Sequence, residues 1–327
     1  MNNSVNEKQL IIEDLKIDYK TDDQTVHAVT GLSISMEKGE CLGLVGETGA
    51  GKTTTALAIL RLLPKPQGRI LSGSIIFNGI DLQAIGDAAM REIRGKCISM
   101  IFQDPMTSLN PILPVGEQIS EVIRLHEKCS KKKAMEKAVQ MMEMVGIPGD
   151  RSDEYPHQFS GGMKQRIVIA IALACSPELL IADEPTTALD VTIQAQILEM
   201  MRNLKRDMGT STILITHDLG VVAEMCDHVA IVYAGCIMEY GTLADIYKNP
   251  LHPYTIGLFG SIPDLNSDVN RLKPIPGMVP DPAKLPPGCP FENRCDRKKE
   301  ICKNVKPELK TIDGIHSVRC HCLEENV

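Results

Sequence analysis

The 327-residue sequence has no basic surplus, no apolar run of membrane length and no signal-peptide core. Lysine and arginine number 35 against 42 aspartate and glutamate, giving a net charge of −7, whereas dedicated nucleic-acid binders usually carry excess positive charge. The longest apolar run, 167–175, is about half of the roughly 18 residues that a membrane-spanning helix needs. The N-terminal segment 1–13 is polar. We therefore expect a cytoplasmic chain that binds no nucleic acid and reaches a membrane only through a partner.

Strand and helix patterns alternate over the first 250 residues. Two runs rich in β-branched residues, 10–19 and 26–34, predict strands joined by a turn at 21–23. Farther along, the pattern predicts strands at 40–45, 74–77, 97–102, 179–182, 212–215 and 228–233, and helices at 52–63, 162–174, 192–208 and 219–225, with a helical region over 115–145. This alternation predicts an α/β fold with a largely parallel sheet covered by helices.

The character of the sequence changes near residue 250, where prolines become frequent. Proline disfavours regular helix and sheet, so we place a domain boundary near residue 250 and expect 251–327 to form an irregular appendage. The last 39 residues also contain five of the eleven cysteines, which are Cys289, Cys295, Cys302, Cys320 and Cys322. In a reducing cytosol, such crowding favours metal binding over disulfides.

A P-loop follows the predicted strand 40–45 and precedes the predicted helix 52–63. Its residues are Gly46, Glu47, Thr48, Gly49, Ala50, Gly51, Lys52 and Thr53, followed by Thr54. Glycines allow successive backbone N–H groups to surround phosphates, and the following helix directs its positive N-terminus at the same anion. We expect Lys52 to reach the β- and γ-phosphates of ATP and the Thr53 hydroxyl to bind Mg²⁺. A chance glycine-rich turn is the alternative, which the flanking strand and helix disfavour.

An apolar run, 179–182, ends in two adjacent carboxylates, Asp183 and Glu184. In parallel sheets, ligands bind at the carboxyl ends of the strands, where these two side chains are expected to lie. Asp183 is predicted to hold Mg²⁺ and Glu184 to polarise the attacking water. Taken alone, the pattern fits a strand followed by a charged turn equally well.

The segment 159–166 resembles the signature motif of ABC ATPases. Ser160, Gly161 and Gly162 open a helix and would form a second phosphate cradle. Phe159 and Met163 depart from the commonest form of the motif, which has leucine and glutamine there. Further positions match the family in order: Tyr19 (adenine stacking), Gln103 (Q-loop, Mg²⁺ and water), Ala188, Leu189 and Asp190 (D-loop), and His217 (γ-phosphate).

The resemblance implies a P-loop NTPase cassette with a RecA-like core, an antiparallel β subdomain and a helical subdomain at about 105–160. It also implies that two cassettes enclose two ATP molecules. Each site would then combine Lys52, Asp183, Glu184 and His217 of one subunit with the Ser160 segment of the other. The catalytic residues are expected to be Glu184, His217, Gln103 and Lys52, and the Mg²⁺ ligands Thr53, Gln103 and Asp183.

The proline-rich tail is similar to the C-terminal region of dipeptide and oligopeptide importer ATPases. The resemblance lies in segments 252–255, 275–277, 285–291 and 294–295. It implies two transmembrane permease subunits, a second homologous ATPase (or a second copy of this chain in vitro), an extracytoplasmic peptide-binding protein, and a place on the cytoplasmic face of the membrane. Relatives of this kind also carry nickel, glutathione or antimicrobial peptides.

The tail cysteines Cys289, Cys295, Cys302 and Cys320 are separated by five, six and seventeen residues. Structural zinc sites favour gaps of about two to four residues, whereas thiolate ligation of iron–sulfur clusters tolerates looser spacing. Tails of the resembled family place a cluster here. The sequence therefore predicts a [4Fe–4S] cluster on these four cysteines, with zinc as the alternative and Cys322 as a possible replacement for Cys320.

Two other classes of ABC ATPase fit the sequence less well. Translation factors usually carry two cassettes, and repair ATPases insert a long coiled coil between the Q-loop and the signature. Here there is one copy of each motif, and 56 residues without sustained heptads separate Gln103 from Ser160. Accessory ATPases for iron–sulfur assembly lack a proline- and cysteine-rich tail of this kind.

Overall fold

The computed structural model describes residues 8–187, 189–261 and 274–323. The strands are β1 (Lys8–Lys20), β2 (Thr25–Glu37), β3 (Cys41–Val45), β4 (Gly68–Phe77), β5 (Ile80–Asp81), β6 (Ile98–Ile101), β7 (Leu179–Asp183), β8 (Ser211–Thr216), β9 (His228–Tyr233), β10 (Cys236–Thr242), β11 (Lys310–Asp313) and β12 (His316–Val318). The helices are α1 (Lys52–Ile59), α2 (Asp87–Ile93), α3 (Pro105–Ser108), α4 (Val115–His126), α5 (Lys131–Met144), α6 (Gly161–Leu173), α7 (Val191–Met208), α8 (Leu219–Met225), α9 (Leu243–Lys248) and α10 (Pro253–Gly260).

The chain divides into two compact units. The first comprises residues 37–41 and the described part of 84–216, and the second comprises 8–36, 42–83 and the described part of 217–323. The first unit contains the parallel strands β6, β7 and β8, in that spatial order, together with helices α2 to α7. All five residues of β7 are buried, as expected for a strand covered on both faces.

The second unit contains two sheets. One is antiparallel, with strand order β2-β1-β4-β5, and includes the long β1–β4 pairing. In the other, strands lie in the order β11-β12-β10-β9-β3, where β3 and β9 are parallel and the remaining pairs are antiparallel. The α/β prediction is confirmed, and the antiparallel strands of the first sheet agree with the expected β subdomain.

The predicted helical region 115–145 consists of two helices. Helix α4 ends at His126, and α5 begins after its N-cap residue, Ser130. The Ser130 hydroxyl caps α5 by accepting from the N–H of Lys133. The sequence patterns did not indicate α2, β10 or α9. The described residues contain no helix with the length and apolar character of a membrane span.

The tail has more regular structure than its prolines predict. Pro253 lies at the start of α10, where a missing N–H costs no helical hydrogen bond, and the His252 side chain caps that helix. After Pro307 the chain has no further proline, and β11 and β12 pair across a turn at Gly314, whose φ is +51°. Strand β12 also pairs with β10. The division of the chain at residue 250 stays a prediction.

Candidate nucleotide-binding site

The P-loop connects the buried strand β3 to α1, as the sequence predicts. Side chains are excluded at two of its glycines: a Cβ on Gly46 would lie 2.1 Å from the carbonyl oxygen of Val232, and one on Gly51 would lie 2.4 Å from that of Ala28. Gly51 also has a φ of +97°, which favours glycine. The loop is therefore pressed against neighbouring backbone, as a phosphate cradle built from main-chain N–H groups requires.

Lys52 is buried at the centre of this loop. Its Nζ donates to the carbonyl oxygens of Gly46 at 2.6 Å and Glu47 at 3.1 Å. The ammonium therefore lies inside the curl of the loop. This geometry fits a phosphate group, whose oxygens would receive the charge-assisted hydrogen bonds that an ammonium forms.

Tyr19 lies beside the first turn of α1. Its hydroxyl donates to the Thr54 Oγ1 at 3.4 Å, and a Cβ on Gly68 would lie 3.0 Å from its ring. The ring is thus fixed next to the P-loop helix, in keeping with the expected adenine contact. That role stays a prediction.

The carboxylate pair occupies the end of β7 in the first unit. Asp183 is buried, and Glu184 has a φ of +48°, a conformation that is uncommon for a residue other than glycine. The Glu184 Oε2 accepts from the Gln103 Nε2 at 3.0 Å and from the Thr187 hydroxyl at 2.9 Å. The structure therefore brings together Gln103 and Glu184, which are 81 residues apart in sequence. No sequence motif had indicated that Thr187 would contact Glu184.

The signature serine begins α6. The Ser160 hydroxyl accepts from the N–H of Met163 at 3.4 Å, so it caps the helix, and its residue is exposed. Gly162 packs against α7, where a Cβ would lie 2.6 Å from the Ile193 side chain. Asp190 caps α7 by accepting from the N–H of Ile193 at 2.9 Å. The start of α6 is exposed and nothing lies within 4 Å of a Cβ built on Gly161, so this end of the helix leaves room for a ligand or a partner.

The other predicted site residues fall in different places. His217 is exposed and belongs to the second unit, directly before Asp218, which caps α8. Ala188 of the predicted D-loop lies outside the described residues. Thus the P-loop, Tyr19 and His217 belong to one compact unit, whereas Gln103, Ser160, Asp183, Glu184 and Asp190 belong to the other.

The prediction of a metal site on the tail cysteines is wrong. Among the residues that the structure describes, no group of three or more histidine, cysteine or acidic side chains could hold a metal ion. The predicted cluster ligands, Cys289, Cys295, Cys302 and Cys320, all have free thiols, as does Cys322.

The physical reason lies in the surroundings of these thiols. Burial raises the pKa of the Cys289 thiol to about 12, which favours its neutral form. Cys322 donates from its Sγ to the carbonyl oxygen of Arg297 at 2.9 Å. Backbone hydrogen bonds join separate parts of the tail. For example, the Cys289 N–H donates to the Cys302 carbonyl at 2.8 Å, and both residues are buried.

Sequence reasoning also missed two tail residues that contact the P-loop. The N–H of Glu47 donates to the Tyr254 hydroxyl at 3.0 Å, and the Glu47 carboxylate pairs with Arg294. Both residues stand in segments that resemble the importer tail, but nothing in their local sequence pattern relates them to a loop more than 200 residues earlier.

Comparisons with known proteins agree with this geometry. Residues 29–187 match the ABC transporter family, and residues 238–302 match the C-terminal region of oligopeptide and dipeptide transporters. The chain is 51% identical to the dipeptide transport ATP-binding protein DppD of Bacillus subtilis over 96% of its own length and 94% of that relative. It is 50% identical to the oligopeptide transport ATP-binding protein OppD of the same organism, over 95% and 87% of the two chains.

A solved structure shows the same fold. The chain matches cbiO1 of Clostridium perfringens, part of the ABC transporter complex cbiONQ, with a TM-score of 0.63 and 26% identity over 74% of this chain and 92% of that one. The identity of about half of the residues with these two relatives extends over almost the full length of the chain. This chain belongs to the ABC transporter ATP-binding proteins, in the family of dipeptide and oligopeptide transport ATPases.

Proposed function

We propose that this chain hydrolyses ATP with Mg²⁺ to drive the import of dipeptides or oligopeptides through two permease subunits. The observation that carries the proposal is the P-loop, where Lys52 is enclosed by its own loop and neighbouring backbone excludes side chains at Gly46 and Gly51. The names of the bacterial relatives, which specify dipeptide and oligopeptide transport, support the peptide cargo.

Residues of the P-loop and of β7 would hold the nucleotide and its metal. Lys52 and the backbone N–H groups of 46–53 would bind the phosphates, and Tyr19 would stack on the adenine. Mg²⁺, when bound, neutralises charge that develops on the phosphates. Thr53, Asp183 and Gln103 provide the oxygen donors that this ion prefers.

Glu184 is the proposed base that orients and polarises the attacking water. The hydrogen bond between Gln103 and Glu184 supports this role, because an amide held at 3.0 Å fixes the direction of the carboxylate. Glu184, with its φ of +48°, directly follows the end of β7 at Asp183. His217, exposed after β8, is the proposed contact to the γ-phosphate.

Two cassettes are proposed to share each nucleotide. Ser160, Gly161 and Gly162 of one subunit would close on the ATP held by the P-loop of the other, and Asp190 would contact the partner subunit. The exposed start of α6 supports this arrangement, since its N-terminal N–H groups attract an anion. ATP would close the pair, and hydrolysis and release of phosphate would reopen it.

A mixing experiment tests the shared sites. In dimers of this chain, Ser160→Arg and Lys52→Ala should each abolish ATP hydrolysis alone. Mixed dimers would contain one intact site, because one chain supplies Lys52 and the other supplies Ser160. Random pairing at equal amounts should restore about a quarter of the wild-type rate. Absence of restored activity at every ratio, with mixed dimers verified by differential tags, would disprove the shared site.

The proposed place of the protein is the cytoplasmic face of the membrane, bound to permease subunits. The physiological pair is proposed to contain a second homologous ATPase, and an extracytoplasmic protein would deliver the peptide. The same machinery could instead carry nickel or glutathione, and a soluble ABC ATPase is the remaining alternative. Co-purification with the products of neighbouring genes distinguishes an importer from a soluble enzyme.

A transport assay tests the cargo. Cells that lack this chain should lose uptake of a labelled dipeptide, and the wild-type chain should restore it whereas the hydrolysis-deficient Glu184→Gln variant should not. Uptake of labelled nickel and glutathione should remain unchanged. If dipeptide uptake persists in cells that lack both this chain and any second cassette able to replace it, the peptide proposal is wrong.

A further inference from the structure

Glu47, the second residue of the P-loop, is held by two side chains from the tail. Its N–H donates to the Tyr254 hydroxyl at 3.0 Å. Its carboxylate forms a bidentate pair with Arg294, at 2.6 Å between Nη1 and Oε2 and 3.0 Å between Nη2 and Oε1. Two parallel charge-assisted hydrogen bonds fix direction as well as distance. The tail therefore determines where both the backbone and the side chain of Glu47 lie.

Arg294 is itself rigidly held. Besides Glu47, it donates to the carbonyl oxygens of Pro276 at 3.0 Å and Ile275 at 3.4 Å and to the Tyr233 hydroxyl at 3.3 Å. These five hydrogen bonds match the five N–H groups of a guanidinium, and the side chain is only 4% exposed. Because each N–H group of the buried guanidinium already has an acceptor, the Arg294 side chain is held in one position.

An aromatic cluster packs beside Arg294, whose guanidinium carbon lies 5.8 Å from the centroid of the Tyr233 ring. The ring of Tyr254 lies 4.7 Å from that of Tyr233 and 5.3 Å from that of Phe291, measured between centroids. The rings of Tyr233 and Phe291 meet edge to face at 5.4 Å. Because the Arg294 side chain is buried while that of Glu47 is 31% exposed, salt screens this pair less than it would screen a fully exposed ion pair.

Glu47 also contacts the phosphate-binding lysine, Lys52. Its carbonyl oxygen accepts from the Lys52 Nζ at 3.1 Å, so its N–H, carboxylate and carbonyl are attached to Tyr254, Arg294 and Lys52 respectively. The tail and the phosphate-binding lysine thus meet on one residue. A displacement of Glu47 would move a hydrogen-bond partner of the lysine.

We propose that Arg294 and Tyr254 are positioning residues of the nucleotide site, which hold the P-loop in its phosphate-binding shape. The inference rests on the proposed assignment of residues 46–53 as the phosphate cradle. It gives the tail a direct part in ATP binding. The loop contains two glycines with positive φ, Gly49 and Gly51, so its unliganded form has other backbone states open to it. Holding the loop in advance lowers the ordering cost of binding.

The test is Arg294→Gln, which removes the charge and keeps much of the side-chain length. We expect the Kd for a non-hydrolysable ATP analogue and the KM for ATP to rise about tenfold, while kcat changes less than about twofold. The Kd and KM of Arg294→Lys should fall between those of the wild type and those of Arg294→Gln, because an ammonium keeps the charge but not the fork geometry. This separation of KM from kcat would not follow from general loss of folded protein, which lowers the apparent kcat.

The matched control is Arg319→Gln. Arg319 also belongs to the tail and donates to two backbone carbonyls, those of Ile237 at 2.9 Å and Pro307 at 3.0 Å, but it does not contact the P-loop in these bonds. Its loss should lower thermal stability and leave the Kd for the analogue unchanged. If Arg294→Gln and Arg319→Gln have equal nucleotide affinities, the inference is overturned.

A double-mutant cycle tests the pair itself. Glu47→Gln combined with Arg294→Gln should weaken nucleotide binding no more than either change alone, because both remove the same contact. Additive losses would contradict the pairing.

Lys52→Ala distinguishes the phosphate-cradle assignment from the proposed role of the tail. If it leaves nucleotide affinity unchanged, the cradle assignment fails. If it weakens binding while Arg294→Gln does not, only the role of the tail fails.

Discussion

Glu184→Gln is expected to lower kcat by about 10²–10⁴-fold while nucleotide affinity stays close to that of the wild type. Glutamine preserves the size of the side chain and an oxygen that can accept from Gln103 and Thr187, so the local structure should persist. It lacks the charge that polarises water. Because the phosphate cradle and the proposed Mg²⁺ ligands remain, ATP should bind and hold the cassettes in a closed pair.

Steady-state phosphate release measures the change in kcat, binding of a fluorescent ATP analogue measures affinity, and size-exclusion chromatography with ATP measures the closed pair. Glu199→Gln is a suitable control, since Glu199 is exposed on α7 and outside every proposed site. Its kcat should equal that of the wild type. Hydrolysis by Glu184→Gln at a near-normal rate would show that another group activates the water.

Glu239→Ala is expected to lower the free energy of unfolding by about 3–5 kcal/mol. The Glu239 carboxylate is fully buried and accepts from the N–H groups of Leu251 at 2.7 Å and His252 at 2.9 Å and from the His316 Nε2 at 2.8 Å. It joins β10 to the start of α10 and to β12. Alanine leaves two buried donors, at His252 and His316, and one part-buried donor, at Leu251, without this acceptor, and unsatisfied buried donors are costly.

Urea unfolding followed by circular dichroism measures this loss of stability. The control is Glu300→Ala, because Glu300 is exposed and pairs only at the surface with Lys303 at 2.9 Å. Surface pairs contribute little, so this change should stay within about 0.5 kcal/mol of the wild type. Equal stability of the two variants would mean that the Glu239 network does not hold the tail in place.

The nucleotide motifs could be predicted from the sequence because their chemistry is local. A P-loop needs glycines, a lysine and a hydroxyl within eight consecutive residues, flanked by a strand and a helix. The carboxylates Asp183 and Glu184 end an apolar run, and a buried strand delivers its last residues to the ligand-binding edge of a sheet. The order of these motifs predicted the family, which the comparisons confirm.

The tail shows where such reasoning fails. Cysteine spacing says how far apart two thiols are along the chain, whereas ligation depends on where their sulfur atoms point after folding. Proline density predicted irregular structure, yet the proline-free stretch after Pro307 forms β11 and β12. The first expectation used cysteine spacing and a family resemblance, and the second used proline density. None of these gives the path of the backbone.

The sequence by itself therefore determined the fold class, the P-loop, the carboxylate pair and the family, since each depends on neighbouring residues or on their order. Only the tertiary structure decided that Gln103 meets Glu184, that Glu239 is joined to His316, and that Arg294 is paired with Glu47 across 247 residues. The physical reason is that a hydrogen bond between distant segments requires a particular backbone path. Local patterns of charge, hydrophobicity and turn residues do not encode that path at any single position.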